Sequence, residues 1–278
     1  MIYGFIGAGN MASAIVRGAV ESTDFQARQL LITDRNDDVA RRLADEVGAS
    51  TVASNTDLVK ASEVVILAVK PVHLPYLLNE IASDVAERQP LLISIAAGIA
   101  IADIQAIVGE SVPIIRVMPN MNASIGESMT GVCASPTASQ EHLEIARRLM
   151  NAVGRTLVIG EGDFPVFSAL AGCSPAWMYE IIDSLARAGV KYGLPKSQAV
   201  AIVSQAMMGS AQLVLQSAAD TQTTPAELID RVCSPAGTTI AGLLAAQEAG
   251  LATALVKAVD AAVARDIELG RPDSSSES

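Results

Sequence analysis

Residues 7–12, Gly7-Ala8-Gly9-Asn10-Met11-Ala12, set small side chains at the spacing G-x-G-x-x-G/A, directly after the apolar run Ile2-Tyr3-Gly4-Phe5-Ile6. The chemistry this pattern serves is binding of a dinucleotide. Gly7 permits a tight turn, Gly9 keeps side-chain atoms away from a pyrophosphate, and Ala12 lets the following helix pack on the strand. Asn10 and Met11 open that helix, whose N-terminus favours the anion. Roughly 20 residues beyond the glycines, where the ribose is read, stands Thr33-Asp34-Arg35-Asn36. Asp34 is placed to hold the 2′-hydroxyl of NAD, and Arg35 to pair with the 2′-phosphate of NADP. On these residues alone both cofactors stay open.

A second group, Ser234-Pro235-Ala236-Gly237-Thr238-Thr239, precedes a helical stretch. Backbone N–H groups of such a loop form an anion site suited to a carboxylate, and the Thr239 hydroxyl is available for a hydrogen bond beside it. The same residues also read as a helix cap. Lys70-Pro71 follows a run of buried-strand type, which favours a cleft over a solvated surface. Other chemistries lack raw material. His73 and His142 are far apart, and Cys133, Cys173 and Cys233 match no metal-ligand spacing. No metal is expected, and the cysteines are expected to be buried, reduced thiols.

The elements that must position these residues fall into two halves. Up to about residue 160, continuous aliphatic runs alternate with helical patterns. The strand candidates are Ile2–Ile6, Leu30–Thr33, Val64–Val69, Leu91–Ile95, Pro113–Val117, Gly131–Ala134 and Thr156–Ile159, with helices such as Asn36–Val47 and Gln140–Val153 between them. This alternation predicts an α/β fold with a Rossmann-type, doubly wound, mostly parallel sheet over residues 1–160. Residues 161–272 read as an all-α domain. Ser174 caps a helix with Pro175 in its first turn, Gly193 ends it, and Pro195 opens the next. Thr224-Pro225-Ala226-Glu227 is a capping box. A last helix, Ala252–Leu269, is stopped by Gly270 and Pro272, and the tail 273–278 is expected to be disordered.

Half of the 278 residues are hydrophobic and only 3% aromatic, so the core is aliphatic. A net charge of −11 without a basic cluster argues against a nucleic-acid partner. Ala199–Ala219 has no charged residue but carries Ser204, Gln205, Gly209, Ser210, Gln212, Gln216 and Ser217 around the helix. That is too polar for lipid and fits the buried centre of a helical assembly, hence an oligomer. The chain opens on its first strand without a basic leader, and a cytoplasmic location is expected.

Further motifs stand along the chain: Phe5-Ile6-Gly7-Ala8-Gly9-Asn10-Met11, Ala68-Val69-Lys70-Pro71, Ala96-Ala97-Gly98, Met118-Pro119-Asn120, Ala188-Gly189-Val190-Lys191-Tyr192-Gly193-Leu194-Pro195, and Ser234 to Thr239. Jointly they resemble the pyrroline-5-carboxylate reductases over nearly the whole length. The resemblance implies reduction of 1-pyrroline-5-carboxylate to L-proline, the last step of proline biosynthesis, with hydride arriving on the C=N carbon. It implies that Asn55 lies at the adenosine 2′ side, which favours NADPH over NADH. Ile6, Ala68 to Pro71, Ala96 to Gly98 and Asn120 would border the cofactor. Ser234, Gly237, Thr238 and Thr239 would hold the substrate, with Thr239 near the imine nitrogen and Cys173 and Ser174 nearby. It further implies an intertwined homodimer with the active site at or near the interface, and in similar enzymes rings of dimers. An iminium is a ready hydride acceptor, so the want of a strong proton donor fits this chemistry.

Three departures from the family pattern bear on the pocket. Met121-Asn122 stands for Thr-Pro, Ala171-Gly172-Cys173-Ser174-Pro175-Ala176-Trp177 for Ser-Gly-Ser-Gly-Pro-Ala-Tyr, and Ala236 for a glycine, which reads as a mild change. Two other readings compete. One is a reductase of another small imino or hydroxy acid, with Lys191 as its only comparable proton donor. The other is a non-catalytic nucleotide-binding regulator.

Overall fold

A computed structural model describes residues 1–269; the expected helix stop at Gly270 and Pro272 and the tail 273–278 lie outside the described residues. The chain divides into two compact units, Cys173–Ala262 and Met1–Gly172 together with residues 263–269.

In the first unit the strands are β1 (Tyr3–Ile6), β2 (Leu30–Thr33), β3 (Ser50–Thr51), β4 (Val64–Leu67), β5 (Leu91–Ser94), β6 (Ile114–Met118), β7 (Ser128–Ala134) and β8 (Gly154–Val158). The helices between them are α1 (Asn10–Glu21), α2 (Asp37–Val47), α3 (Asn55–Ala61), α4 (Leu74–Arg88), α5 (Ile101–Val108) and α6 (Gln140–Asn151). They form one sheet of order β3-β2-β1-β4-β5-β6-β7-β8. The chain moves from β1 outward to β3 and then restarts at β4 on the other side of β1, so the topological switch lies where the glycine loop follows β1.

Every residue of β1, β4 and β5 is buried. Period-two alternation explains why these runs are apolar on both faces, with buried Ser94 at the end of β5 as the polar exception. Phe5, Val64, Ile66 and Ile93 enter the core on one face, with Ile15, Val16, Leu30 and Leu149. Ile6, Val65, Leu67 and Leu92 enter the core on the other, with Leu58, Leu74, Leu78 and Ile104. A strand covered by helices on both faces must be apolar at both parities.

The sheet is parallel except at one pair: β7 runs antiparallel to β6, with Val117 opposite Val132. The 119–127 connection contains only a 3-10 turn, Met121–Ile125, and is too short for a parallel crossover. After α6 supplies a crossover, β8 is again parallel to β7. The two-residue β3 was not foreseen, because two exposed polar residues carry no strand pattern.

A short helix α7 (Phe164–Phe167) runs into a π-helical stretch, Ser168–Cys173. In the second unit lie α8 (Ser174–Lys191), α9 (Lys196–Asp220), α10 (Pro225–Val232) and α11 (Thr238–Glu248); α12 (Leu251–Leu269) closes the described chain. The capping box forms as expected: Glu227 N donates to Thr224 Oγ1, and Thr224 N donates to Glu227 Oε2 at 2.7 Å. Two expectations need correction. Ser174 is not a helix cap: it is the first α-helical residue of a run already helical at Cys173. Pro175 has no N–H to give the Ala171 carbonyl four residues back, and the Asn120 amide donates to that carbonyl at 2.9 Å instead. The 199–219 segment is helical and, by length and composition, long and apolar enough to span a membrane. Most of its side chains are exposed in the single chain, which leaves them to the assembly of copies expected from the sequence. The cysteines are also corrected: all three are free thiols, but half-buried rather than buried.

Candidate functional site

β1 delivers Gly7 with φ +105°, a conformation in which a Cβ would lie 2.4 Å from Ala68 O. Only glycine fits there. Gly9 differs: its backbone is extended, and a Cβ would meet nothing within 4 Å. Gly9 is the N-cap of α1 without a side-chain cap, so the first N–H groups of α1 are left for an anion. Asn10 is exposed at that end, Met11 packs on the core, and Ala12 is buried between helix and sheet.

A cleft of about 1130 Å³ opens at the C-terminal ends of β1, β2 and β4. Of the residues expected to hold the cofactor, Ile6, Gly7, Gly9, Asp34, Arg35, Asn55, Ala68, Val69 and Lys70 line it. Pro71 starts the 3-10 turn just beyond. Ala96, Ala97 and Gly98 follow β5 and Asn120 follows β6; none of these four lines this cleft. The volume, the bare Gly9 backbone and the uncapped helix N-terminus fit an extended dinucleotide.

The polar groups around the end of β2 are already interconnected. Asp34 accepts from the Ala8 N–H at 2.8 Å and the Asn36 N–H at 2.9 Å, one on each carboxylate oxygen. It thereby ties the glycine loop to the β2 terminus. Thr33 Oγ1 donates to Asn55 Oδ1 at 2.9 Å. Arg35 is exposed and lines the cleft without an ion pair among the described residues. His73, Tyr76, Glu80 and Arg41 also line it. They belong to no motif and lie on helix faces, so only folding brings them to the cleft.

Asn120 is buried, and its side chain is used within the protein. Nδ2 donates to Ala171 O at 2.9 Å, and Oδ1 accepts from Asn122 N at 3.2 Å. A further pair missed from sequence sits nearby. Buried Arg116 contacts Glu161 at 3.0 Å and stacks 4.1 Å over the Phe164 ring. The same Glu161 oxygen accepts from Ile101 N, the first residue of α5, at 2.7 Å. Glu161 thus anchors the helix that follows the Ala96–Gly98 turn. Burial pushes the nearby Cys133 thiol pKa up, Glu161 adds to the rise, and Arg116 opposes it. That disfavours the thiolate at this position.

In the second unit, α11 begins at Thr238 with Gly237 as an N-cap that has no side-chain bond. The helix N-terminus is open, as an anion site requires, and Thr238 and Thr239 are exposed on its first turn. Gly237 packs against Ser234: a Cβ there would lie 2.4 Å from Ser234 Oγ. Ala236 is not the mild change expected, because its φ is +58°, a left-handed conformation that costs a residue with a Cβ about 1–2 kcal/mol. Cys173 and Ser174 sit where the π stretch passes into α8. Lys191 ends α8 with its Nζ 5.6 Å over the adjacent Tyr192 ring, both residues exposed.

Residues 161–269 match the family model described as pyrroline-5-carboxylate reductase dimerisation, and residues 2–98 match that of the coenzyme F420-dependent NADP oxidoreductases. A pyrroline-5-carboxylate reductase of Methanosarcina acetivorans is 32% identical over 96% of this chain and 97% of its own. A solved pyrroline-5-carboxylate reductase from Coxiella burnetii superposes with a TM-score of 0.90 at 30% identity, covering 97% of this chain and 98% of its own. The Plasmodium falciparum pyrroline carboxylate reductase, solved with NADP bound, superposes with a TM-score of 0.83 at 27% identity over 98% of both chains. With relatives above 30% identity along almost its entire length, the chain belongs to the pyrroline-5-carboxylate reductase family.

Proposed function

We propose that the protein reduces 1-pyrroline-5-carboxylate to L-proline, taking NADPH in preference to NADH. The observation that carries this reading is the full-length match to pyrroline-5-carboxylate reductases, on a chain whose Gly7–Ala12 loop keeps the geometry a dinucleotide needs. A bound reduced nicotinamide supplies the hydride equivalent. The chain's own residues bind and orient. The α1 N-terminus and Gly9 receive the pyrophosphate, and Arg35 meets the 2′-phosphate. The preference for NADPH is supported by Arg35, which lines the cleft without an ion pair among the described residues.

In this reading the open N-terminus of α11, with Ser234, Gly237 and Thr238, takes the substrate carboxylate. The Thr239 hydroxyl hydrogen-bonds the imine nitrogen, and Cys173 and Ser174 shape the pocket. Orientation of cofactor and substrate accounts for most of the acceleration. We assign the cofactor domain to residues 1–160 and the substrate and dimerisation domain to 161–272. The exposed apolar side chains of α9, among them Ile202, Met208, Leu213 and Leu215, are those a second copy of the chain covers in a homodimer. A cytoplasmic location accords with a biosynthetic reductase.

The test is oxidation of NADPH and NADH followed at 340 nm with 1-pyrroline-5-carboxylate, in the wild type and in Thr239→Ala. Turnover that drops about 100-fold in the variant is expected for loss of a positioned hydroxyl. Nucleotide binding without turnover of this imine would remove the assignment.

A further inference from the structure

We infer that Glu80 is a specificity-determining residue of the dinucleotide cleft. Its charge opposes the 2′-phosphate that Arg35 attracts, and so keeps the preference for NADPH over NADH shallow. The inference rests on the dinucleotide reading of the cleft. Its basis is a chain of three side chains: Thr33 Oγ1 donates to Asn55 Oδ1 at 2.9 Å, and Asn55 Nδ2 reaches both carboxylate oxygens of Glu80 at 3.2 Å. A carboxylate only accepts, so Glu80 fixes which end of the Asn55 amide faces it and leaves Oδ1 toward Thr33. Thr33 is the last residue of β2, and the end of the second strand is where such a sheet holds the adenosine ribose. Thr33, Arg35, Asn55 and Glu80 all line the same cleft.

The balance of charge at this end follows. Asp34, the usual partner of a 2′-hydroxyl, accepts one backbone N–H on each oxygen, from the glycine loop and from residue 36. It keeps a lone pair on each, and its charge adds to that of Glu80 against a phosphate. Glu80 is exposed and makes no salt bridge among the described residues, so its charge is not neutralised. A carboxylate here accepts from a ribose hydroxyl and repels a phosphate carrying close to two negative charges. Arg35 does the reverse. Opposed charges facing one subsite give tolerance of both nucleotides, and removing one of them tips the choice.

The experiment is an equilibrium fluorescence titration of the purified protein with NADPH and NADH, without substrate, at low and high salt. Glu80→Gln keeps an acceptor for Asn55 Nδ2 and removes the charge. Its Kd for NADPH is expected to fall about 3- to 10-fold, with the Kd for NADH unchanged or raised, and the shift should shrink as salt screens it. Arg35→Gln, as a second variant, should move the NADPH Kd the opposite way. An equal change for both nucleotides in Glu80→Gln would reveal mere support of Asn55 and overturn the inference, as would no change. Failure of the wild type to bind either nucleotide is a different result, which overturns the dinucleotide reading and the role of Glu80 together.

Discussion

Asn120 Nδ2 donates to the carbonyl of Ala171 at 2.9 Å, four positions before Pro175. Proline has no N–H, so the carbonyl at that position loses its α-helical donor. The amide of a residue following β6 supplies one instead. The same side chain caps the 3-10 turn through Asn122 N, so one buried asparagine holds both the turn after β6 and the π stretch.

Replacing it separates those roles. Asn120→Ala removes donor and cap, and is expected to destabilise the protein by about 1–3 kcal/mol, the usual cost of leaving buried polar groups unpaired. Asn120→Asp retains an acceptor for Asn122 N but sets an oxygen against Ala171 O, and should be no more stable than the alanine variant. Urea denaturation followed by circular dichroism measures both. An alanine variant within a few tenths of a kcal/mol of wild type would show that the bond carries no stability.

Gly7 and Gly9 belong to one motif yet answer to different forces. A methyl at Gly7 meets Ala68 O at 2.4 Å on a backbone of φ +105°, whereas a methyl at Gly9 meets open space. Gly7→Ala should therefore destabilise the fold by about 3 kcal/mol or more. Gly9→Ala should leave stability within about 1 kcal/mol of wild type, as for an uncapped N-cap. It should nevertheless weaken NADPH binding about tenfold or more, because the methyl occupies the approach of the pyrophosphate. Thermal melts and nucleotide titration on the two variants should give opposite profiles. Equal loss of stability in both would contradict the distinction.

The same contrast shows what could be read from sequence. The glycine spacing, the two-parity apolar strands β1, β4 and β5, and the Thr224–Glu227 box are local patterns, and local physics decides them. The direction of β7 follows from the length of the 119–127 connection. Its strand begins at the polar Ser128, three residues before the apolar signal at Gly131, so the connection looked longer than it is. Glu80 was invisible because it lies 25 positions from Asn55 and meets it only once α3 and α4 pack together. The left-handed conformation of Ala236 has one signal in the sequence, the glycine of the family pattern that it replaces, and reading the exchange as mild passes over what that glycine permits.

Acid should loosen the α8–α9 pair. Hydrogen bonding to Lys196 holds the Asp183 carboxyl below the usual carboxylate range, and the Arg187 guanidinium at 2.6 Å adds to it. A folded-state pKa lowered in this way contributes stability that is present above the unfolded value, about 3.9, and is lost as pH falls through the folded one. Glu46 is lowered by its bond to Arg17 and Glu227 by the Thr224 backbone and hydroxyl, with the same sign. In urea titrations from neutral pH down to about pH 3, Asp183→Asn should lose less stability than wild type over the acid limb. Parallel curves would mean that Asp183 contributes nothing to the pH dependence.

Ala236 poses a competition of known magnitudes. Its φ of +58° costs a residue with a Cβ about 1–2 kcal/mol. Glycine removes that cost but gives the unfolded chain more freedom, which takes back about 0.4–1 kcal/mol. The strain term is larger, so Ala236→Gly should stabilise the protein by about 0.5–1 kcal/mol. The gain should appear as a higher urea midpoint with an unchanged denaturant slope. If the loop 234–237 is a carboxylate site, the methyl also borders its backbone donors, and the variant should lower KM for the imine as well as raise stability. A variant less stable than wild type would mean that the loop leaves the left-handed region in solution, and that Ala236 bears no strain there.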